Sequence, residues 1–148
     1  MIRSIMRIVV VAIAAVTLNS AVTSAQTPSP ALLILEKEDQ KLAIVDPATL
    51  KVIGRVPAGI DPHEICVSAD GKTAFISNYG AFSTAQHTLS VVDLAAQKPL
   101  PAIDLGALRA PHGIQTSDNK IYFTAEGSKA IGRYEPVTRK CRLDFRPG

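Results

Sequence analysis

From about residue 31 onward, short runs of apolar residues alternate with polar ones and are separated by turn residues. In "HEICVSADGK", Ile65 and Val67 alternate ahead of Asp70-Gly71, which is a strong hairpin signal. The runs "TAFISN", "TLSVVD" and "KPLPAID" follow as three further strands, and the prolines of the last run suit only the edge of a sheet. Because no stretch after Pro30 keeps a helical apolar period, the pattern predicts an all-β fold.

The strand pattern occurs more than once. Asp46 corresponds to Asp93 at an offset of 47 residues, and Pro62-His63 corresponds to Pro111-His112 at an offset of 49. A third copy of the pattern continues with "AIGRYEPVTRK". A period of this length, filled by four short antiparallel strands, is typical of β-propeller blades.

The repeat divides the chain into a partial β-propeller over residues 31–148, with blades at about 31–59, 60–107 and 108–148. The first blade lacks its inner strand. Closed propellers have about four to eight blades. We therefore interpret the chain as incomplete, either a fragment or the product of a truncated reading frame. Self-association that closes the propeller and an open monomer are the alternatives.

The segments "PHEICVSADGKTAFISN" and "PHGIQTSDNKIYFTAEG" resemble the YVTN-type β-propeller repeat. That family includes secreted and surface propellers and lactonase-like propellers. The resemblance covers nearly all of residues 31–146 and implies the fold more strongly than any activity. "FISN" and "YFTA" stand where the family has Tyr-Val-Thr-Asn, so the subfamily stays open.

The first 25 residues have the pattern of a signal peptide: Arg3 and Arg7 precede the apolar run Ile8 to Leu18, and small residues follow. An uncleaved N-terminal anchor is the alternative. Residues 26–30 form a linker. We therefore expect a periplasmic or extracellular protein with no membrane span after removal of the signal peptide.

The net charge and the two cysteines lead to two further expectations. The chain carries a net charge of +3, and removal of Arg3 and Arg7 leaves about +1, which does not favour nucleic acid as a partner. Cys66 and Cys141 fall in different blades, so we expect two separate thiols with Cys66 buried.

The three histidines are the candidate ligand-binding residues. His63 and His112 precede inner strands, and His87 lies in a loop that opens at the same end, so all three are expected around one mouth of the propeller channel, with Glu64 and Glu126. A purely structural role for the repeated Pro-His is the alternative. No metal is expected, because equivalent residues of adjacent blades should lie too far apart.

The acidic residues at strand ends have simpler interpretations. Asp46 and Asp93 end third strands and should cap turns, and Asp61 should cap the turn into the inner strand.

The chain has none of the common nucleophile, phosphate-loop or metalloprotease motifs. The sequence therefore predicts a binding or scaffold module of the cell envelope without catalytic activity or cofactor. Its partner is an unknown small molecule or envelope protein. The alternative is that the chain is part of a lactonase-like propeller hydrolase.

Overall fold

The computed structural model describes residue 27, residues 29–80 and residues 84–145. The predicted signal peptide lies outside these residues. Eleven strands of the described part form three antiparallel sheets. Within this part of the chain, no helix has the length and apolarity that crossing a membrane requires.

The first sheet has three strands in chain order: β1 (Leu32–Glu36), β2 (Lys41–Asp46) and β3 (Lys51–Pro57). The second sheet has four: β4 (Pro62–Val67), β5 (Thr73–Asn78), β6 (Thr88–Asp93) and β7 (Lys98–Asp104). The third has β8 (Pro111–Ser117), β9 (Lys120–Ala125), β10 (Ala130–Glu135) and β11 (Lys140–Phe145), with a 3₁₀ turn at Glu126–Ser128. The prediction of an all-β fold with three, four and four strands is confirmed.

The strand register makes the sheets directly comparable. Asp46, Asp93 and Glu135 each pair with the first residue of the following outer strand, so β2, β6 and β10 are equivalent. It follows that β1, β5 and β9 are equivalent second strands, whereas β4 and β8 are inner strands with no counterpart in the first sheet. The predicted edge strand with Pro99 and Pro101 is β7, at the end of its sheet.

The second sheet packs on a neighbour with each face. Ala74, Ile76 and Val92 belong to the cluster shared with the first sheet. Phe75 and Val91 belong to the cluster shared with the third sheet. Burial on both faces explains why β5 and β6 are almost continuously buried while the outer strand β7 is largely exposed.

Both cysteines are free thiols. Cys66 is buried between the second and third sheets, as predicted, and this burial raises the pKa of its thiol to about 11. Cys141 lies partly buried on β11, where burial also raises the pKa of its thiol.

Candidate functional site

Each complete sheet begins its inner strand with the same backbone device. Asp61 and Ala110 have φ angles of 50° and 51°, in the left-handed region that is costly for residues other than glycine. Pro-His follows each of them, and a register shift follows the proline. The turns are closed by the N–H groups of Tyr79 and Glu126, which donate to the carbonyl oxygens of Asp61 and Ala110 at 3.1 and 3.0 Å.

A hydroxyl group holds the strand at this irregularity. Ser77 Oγ accepts the N–H of Glu64 at 3.1 Å, and Thr124 Oγ1 accepts the N–H of Gly113 at 2.9 Å. These side chains satisfy backbone donors that the shifted register takes out of the strand ladder. The repeated Pro-His therefore lies at a backbone irregularity that recurs in both sheets, and a structural role for the pair stays a prediction.

The same device brings three rings together. The ring centroids of His63 and His112 are 4.2 Å apart, with the planes tilted by 58°. The ring of Tyr79 lies 5.3 Å from each of them. Two neighbouring sheets thus contribute to one cluster at the start of their inner strands.

Two carboxylates complete the cluster. Tyr79 Oη donates to Glu126 Oε2 at 2.8 Å, and Glu126 Oε1 lies 3.4 Å from His112 Nδ1. His63, Glu64 and His112 each offer one ligating atom, and these atoms lie within 4.8 Å of one another. We call His63, Glu64, Tyr79, His112 and Glu126 the rim cluster.

The environment of His63 favours the neutral imidazole. Burial lowers its pKa, and the charges of Lys37 and His112 lower it further. Its Nδ1 atom is buried and has no hydrogen-bond partner among the described residues. The hydrogen bond to Glu126 raises the pKa of the Tyr79 phenol, so Tyr79 stays a donor.

Asp61 differs from its predicted role. Instead of capping the turn into the inner strand, its carboxylate pairs with Lys37 Nζ at 2.8 Å. The carbonyl of Asp61, whose φ is 50°, accepts the N–H of Tyr79 next to the pair formed by Pro62 and Asn78. The predicted capping by Asp46 and Asp93 is confirmed, since their carboxylates accept the N–H groups of Ala48 and Ala96, each at 2.9 Å.

His87 lies at the same end of the second sheet as His63 but outside the rim cluster. It directly precedes β6, and its Nδ1 is 2.8 Å from Asp104 Oδ1 at the end of the outer strand. The structure therefore brings His63, Glu64, His112 and Glu126 together and leaves His87 with a different partner. That these residues bind a ligand stays a prediction.

Two neighbours of the site were missed from the sequence. Lys37, Tyr79 and Glu126 each directly follow a second strand and are equivalent in the three sheets. Glu126 was selected because it is acidic. Aligning the residue after each second strand would have found Tyr79 and Lys37 as well.

A cavity lies away from the rim cluster. It measures about 590 Å³ between the second and third sheets, at the β4–β5 and β8–β9 turns. These turns are at the opposite ends of the inner strands from His63 and His112. We favour the rim cluster as the candidate site because imidazole, phenol and carboxylate groups converge there, whereas the cavity is a cleft between two sheets.

No protein-family profile matches the chain. No curated protein matches it either. Hydrazine synthase from Kuenenia stuttgartiensis matches in structure with a TM-score of 0.66 and 25% identity over 76% of this chain and 31% of that one. Virginiamycin B lyase from Staphylococcus aureus matches with a TM-score of 0.65 and 18% identity over 80% of this chain and 38% of the lyase. The dihydro-heme d1 dehydrogenase NirN matches with a TM-score of 0.59 and 16% identity over 76% of this chain and 25% of NirN.

These solved structures are β-propeller proteins. The three sheets are propeller blades. The chain spans roughly a quarter to two fifths of the length of the solved chains it matches. Because the inner strands of a propeller surround its central channel, we expect the rim cluster on the channel side of the second and third blades. Membership of the YVTN family stays a prediction.

Proposed function

We propose that the chain is an exported propeller module of the cell envelope that binds a small, positively charged ligand at the rim cluster. One observation carries this proposal: three rings and two carboxylates from two blades converge at the starts of the inner strands. Concave sites where a few polar groups converge are the usual places for small-molecule binding.

The charge of the cluster supports a cationic ligand. Asp61 is neutralised by Lys37 at 2.8 Å. Glu64 and Glu126 are exposed carboxylates whose neighbours in the cluster are imidazoles and a phenol. Carboxylates attract a cation directly, and the face of a tyrosine ring adds an attraction of about 0.5–2 kcal/mol.

Export is part of the proposal and rests on residues 1–25. Mass spectrometry of the envelope fraction should find Gln26 as the N-terminus. The intact Met1 form would contradict cleavage of the signal peptide. The lactonase-like alternative stays a prediction, since none of the contacts among the described residues favours it.

Ligand binding can be tested by NMR of the three histidine rings in the full chain. Tetramethylammonium and Zn²⁺ serve as an organic and a metal cation, and acetate serves as the anion control. We expect one or both cations to shift the His63 and His112 signals while His87 is unchanged, and we expect Glu126→Gln to weaken the response. Equal shifts at His87, or no shift with either cation, would overturn the proposal.

A further inference from the structure

We infer that His63, Glu64 and His112 form a binding site for a divalent transition-metal ion, with Zn²⁺ as the type case. This inference rests on the proposed function, because it specifies the cation that the rim cluster takes. Two imidazoles and one carboxylate are a donor set that suits zinc and its neighbours in the periodic table. Calcium and magnesium prefer sets made of oxygen atoms.

The distances allow one ion to reach all three side chains. The candidate ligating atoms lie within 4.8 Å of one another. Zinc–ligand bonds of about 2.0–2.2 Å in tetrahedral geometry place ligating atoms roughly 3.4 Å apart. Closing the site therefore requires shifts of about 1 Å, which small changes in side-chain torsions supply without moving the strands.

Glu126 and Tyr79 lie beside one of the imidazoles. Glu126 Oε1 lies 3.4 Å from Nδ1 of His112, and its other oxygen accepts the hydroxyl of Tyr79. A carboxylate on Nδ1 leaves Nε2 of His112 as the ligating atom. Metal-binding histidines almost always have such a carboxylate or carbonyl partner, which fixes the ring and raises its basicity.

Among the described residues, no hydrogen bond or ion pair competes for the side chains of His63 and Glu64. The buried Nδ1 of His63 has no hydrogen-bond partner among the described residues, so a ring nitrogen is left without a structural role. Glu64 reaches toward the third blade, where its Oε2 would lie 3.8 Å from a Cβ added at Gly113. The backbone N–H of Glu64 donates to Ser77 Oγ, and this hydrogen bond holds the backbone of Glu64 in place.

The expectation of no metal assumed that equivalent residues of neighbouring blades lie too far apart. The ring distance of 4.2 Å between His63 and His112 removes this objection. The reason is the position of the two residues at the start of inner strands, where blades come closest to the channel axis. With three protein ligands, a zinc-type ion keeps a fourth position open for a ligand or a further side chain.

Calorimetric titration of the full chain with Zn²⁺ tests the inference, and Co²⁺ absorption reports the ligand field. We expect one ion per chain and no comparable binding of Mg²⁺. Losing an outer partner of a ligating histidine costs about 10–100-fold in affinity, so Glu126→Gln should weaken zinc binding by about tenfold. His63→Ala and His112→Ala should weaken it by about a hundredfold or more.

His87→Ala is the matched control, because His87 also has a carboxylate neighbour but lies outside the rim cluster. It should keep the affinity of the wild type. Glu64→Gln keeps the size of the side chain and should lower affinity, with an unchanged circular dichroism spectrum as evidence of folding. Zinc binding that survives both histidine substitutions, or that His87→Ala removes, would overturn the metal site.

The outcomes separate this inference from the proposed function. If tetramethylammonium shifts His63 and His112 but Zn²⁺ does not bind, the metal site is wrong and the cation-binding function stands. If neither cation binds at the rim cluster, both are wrong, and the Pro-His repeat has only its structural role.

Discussion

The second and third blades share one backbone conformation at the start of the inner strand and differ in the side chains around it. Both begin with a left-handed residue, Pro-His, a register shift and a hydroxyl group that accepts the displaced N–H. The side chains at equivalent positions differ: Asn78, Thr88 and Ser90 in the second blade correspond to Ala125, Ala130 and Gly132 in the third. The repeat thus specifies the backbone and leaves side-chain packing to each blade.

The same difference creates the candidate site. At the end of the second strand the second blade has Tyr79 and the third has Glu126, and these two residues bond to each other. After the repeated histidine, the second blade has Glu64 and the third has Gly113. Two identical blades would place like groups side by side, whereas these two place a donor against an acceptor.

The largest effect should come from adding a side chain to the third blade at Gly132. A Cβ there would overlap the ring of Phe123 and lie 2.8 Å from Leu108 Cδ1. Overpacking of this kind costs about 1–3 kcal/mol, and we expect Gly132→Ala to fall at the upper end. Urea unfolding followed by circular dichroism measures the loss.

Gly113→Ala is the control for this substitution, because its Cβ meets nothing closer than 3.5 Å. It should change the free energy of unfolding by less than about 0.5 kcal/mol. Phe123→Ile copies Ile76, which occupies this position in the second blade. Adding Phe123→Ile to Gly132→Ala should recover about 1 kcal/mol of the lost free energy of unfolding. Strict additivity would contradict the proposed clash.

The next largest effect should come from Asn78 of the second blade. Its side chain is 2% exposed, donates to Thr88 Oγ1 at 2.9 Å and accepts the hydroxyl of Ser90 at 3.1 Å. Asn78→Ala copies Ala125 of the third blade but leaves the buried Ser90 hydroxyl without its partner. We expect a loss of about 2 kcal/mol in the free energy of unfolding.

Ser90→Ala is the companion variant for Asn78. If the two residues form one polar unit, the double variant should cost less than the sum of the single losses by about 0.5–1 kcal/mol. A double variant that costs the full sum would show that the second blade does not depend on this pair.

The fold was predictable because its signals are local. Alternating apolar residues, prolines confined to an edge strand and the recurrence of Asp and Pro-His at offsets of 47 and 49 residues determine strands and their order. These patterns depend on the backbone, which the blades share. Asn78 and Ala125 are buried at equivalent positions but differ in polarity, and this difference gives no periodic signal. The packing inside each blade could therefore not be predicted.

The candidate site was predictable only in part. His63 and His112 follow from the repeat, and Glu64 and Glu126 were selected as acidic residues expected at the same end of the blades. The pairing of His87 with Asp104 depends on β6 and β7 lying side by side at that end, and the 4.2 Å approach of the rings depends on how two blades pack. Contacts between sheets have no fixed spacing in the sequence.

A smaller effect should distinguish the inner hairpins of the two blades. The second blade turns through Ser68 to Lys72 with Gly71 at a φ of 72°, whereas the third turns through Asp118 and Asn119 at φ of 49° and 56°. Gly71→Ala should cost about 1 kcal/mol, although a Cβ there meets no atom within 4 Å, because the cost is conformational.

Asn119→Gly is the complementary change in the third blade. It creates the Asp-Gly pair favoured in two-residue hairpins and should stabilise the chain by about 0.5 kcal/mol. Thermal unfolding of both variants measures the effects. Stabilisation by Gly71→Ala, or a marked loss with Asn119→Gly, would mean that left-handed residues do not control these turns.

The smallest expected effect is a pH dependence from the same hairpin of the second blade. The Ser68 hydroxyl donates to Asp70 Oδ1 at 2.6 Å and the N–H of Lys72 donates at 3.1 Å, and these bonds lower the pKa of Asp70. A carboxylate whose pKa is lower in the folded chain stabilises the fold above its unfolded pKa, near 3.8, and loses this contribution as the pH falls through the folded value. Asp70→Asn should therefore be less stable than wild type at pH 7, and the difference should shrink as the pH falls below 3.8.

Asp118→Asn, in the turn of the third blade, controls for the loss of one negative charge. Urea midpoints of the three proteins from pH 7 to pH 2 give the measurement, and a difference between wild type and Asp70→Asn that stays constant with pH would show that these hydrogen bonds do not stabilise the ionised carboxylate.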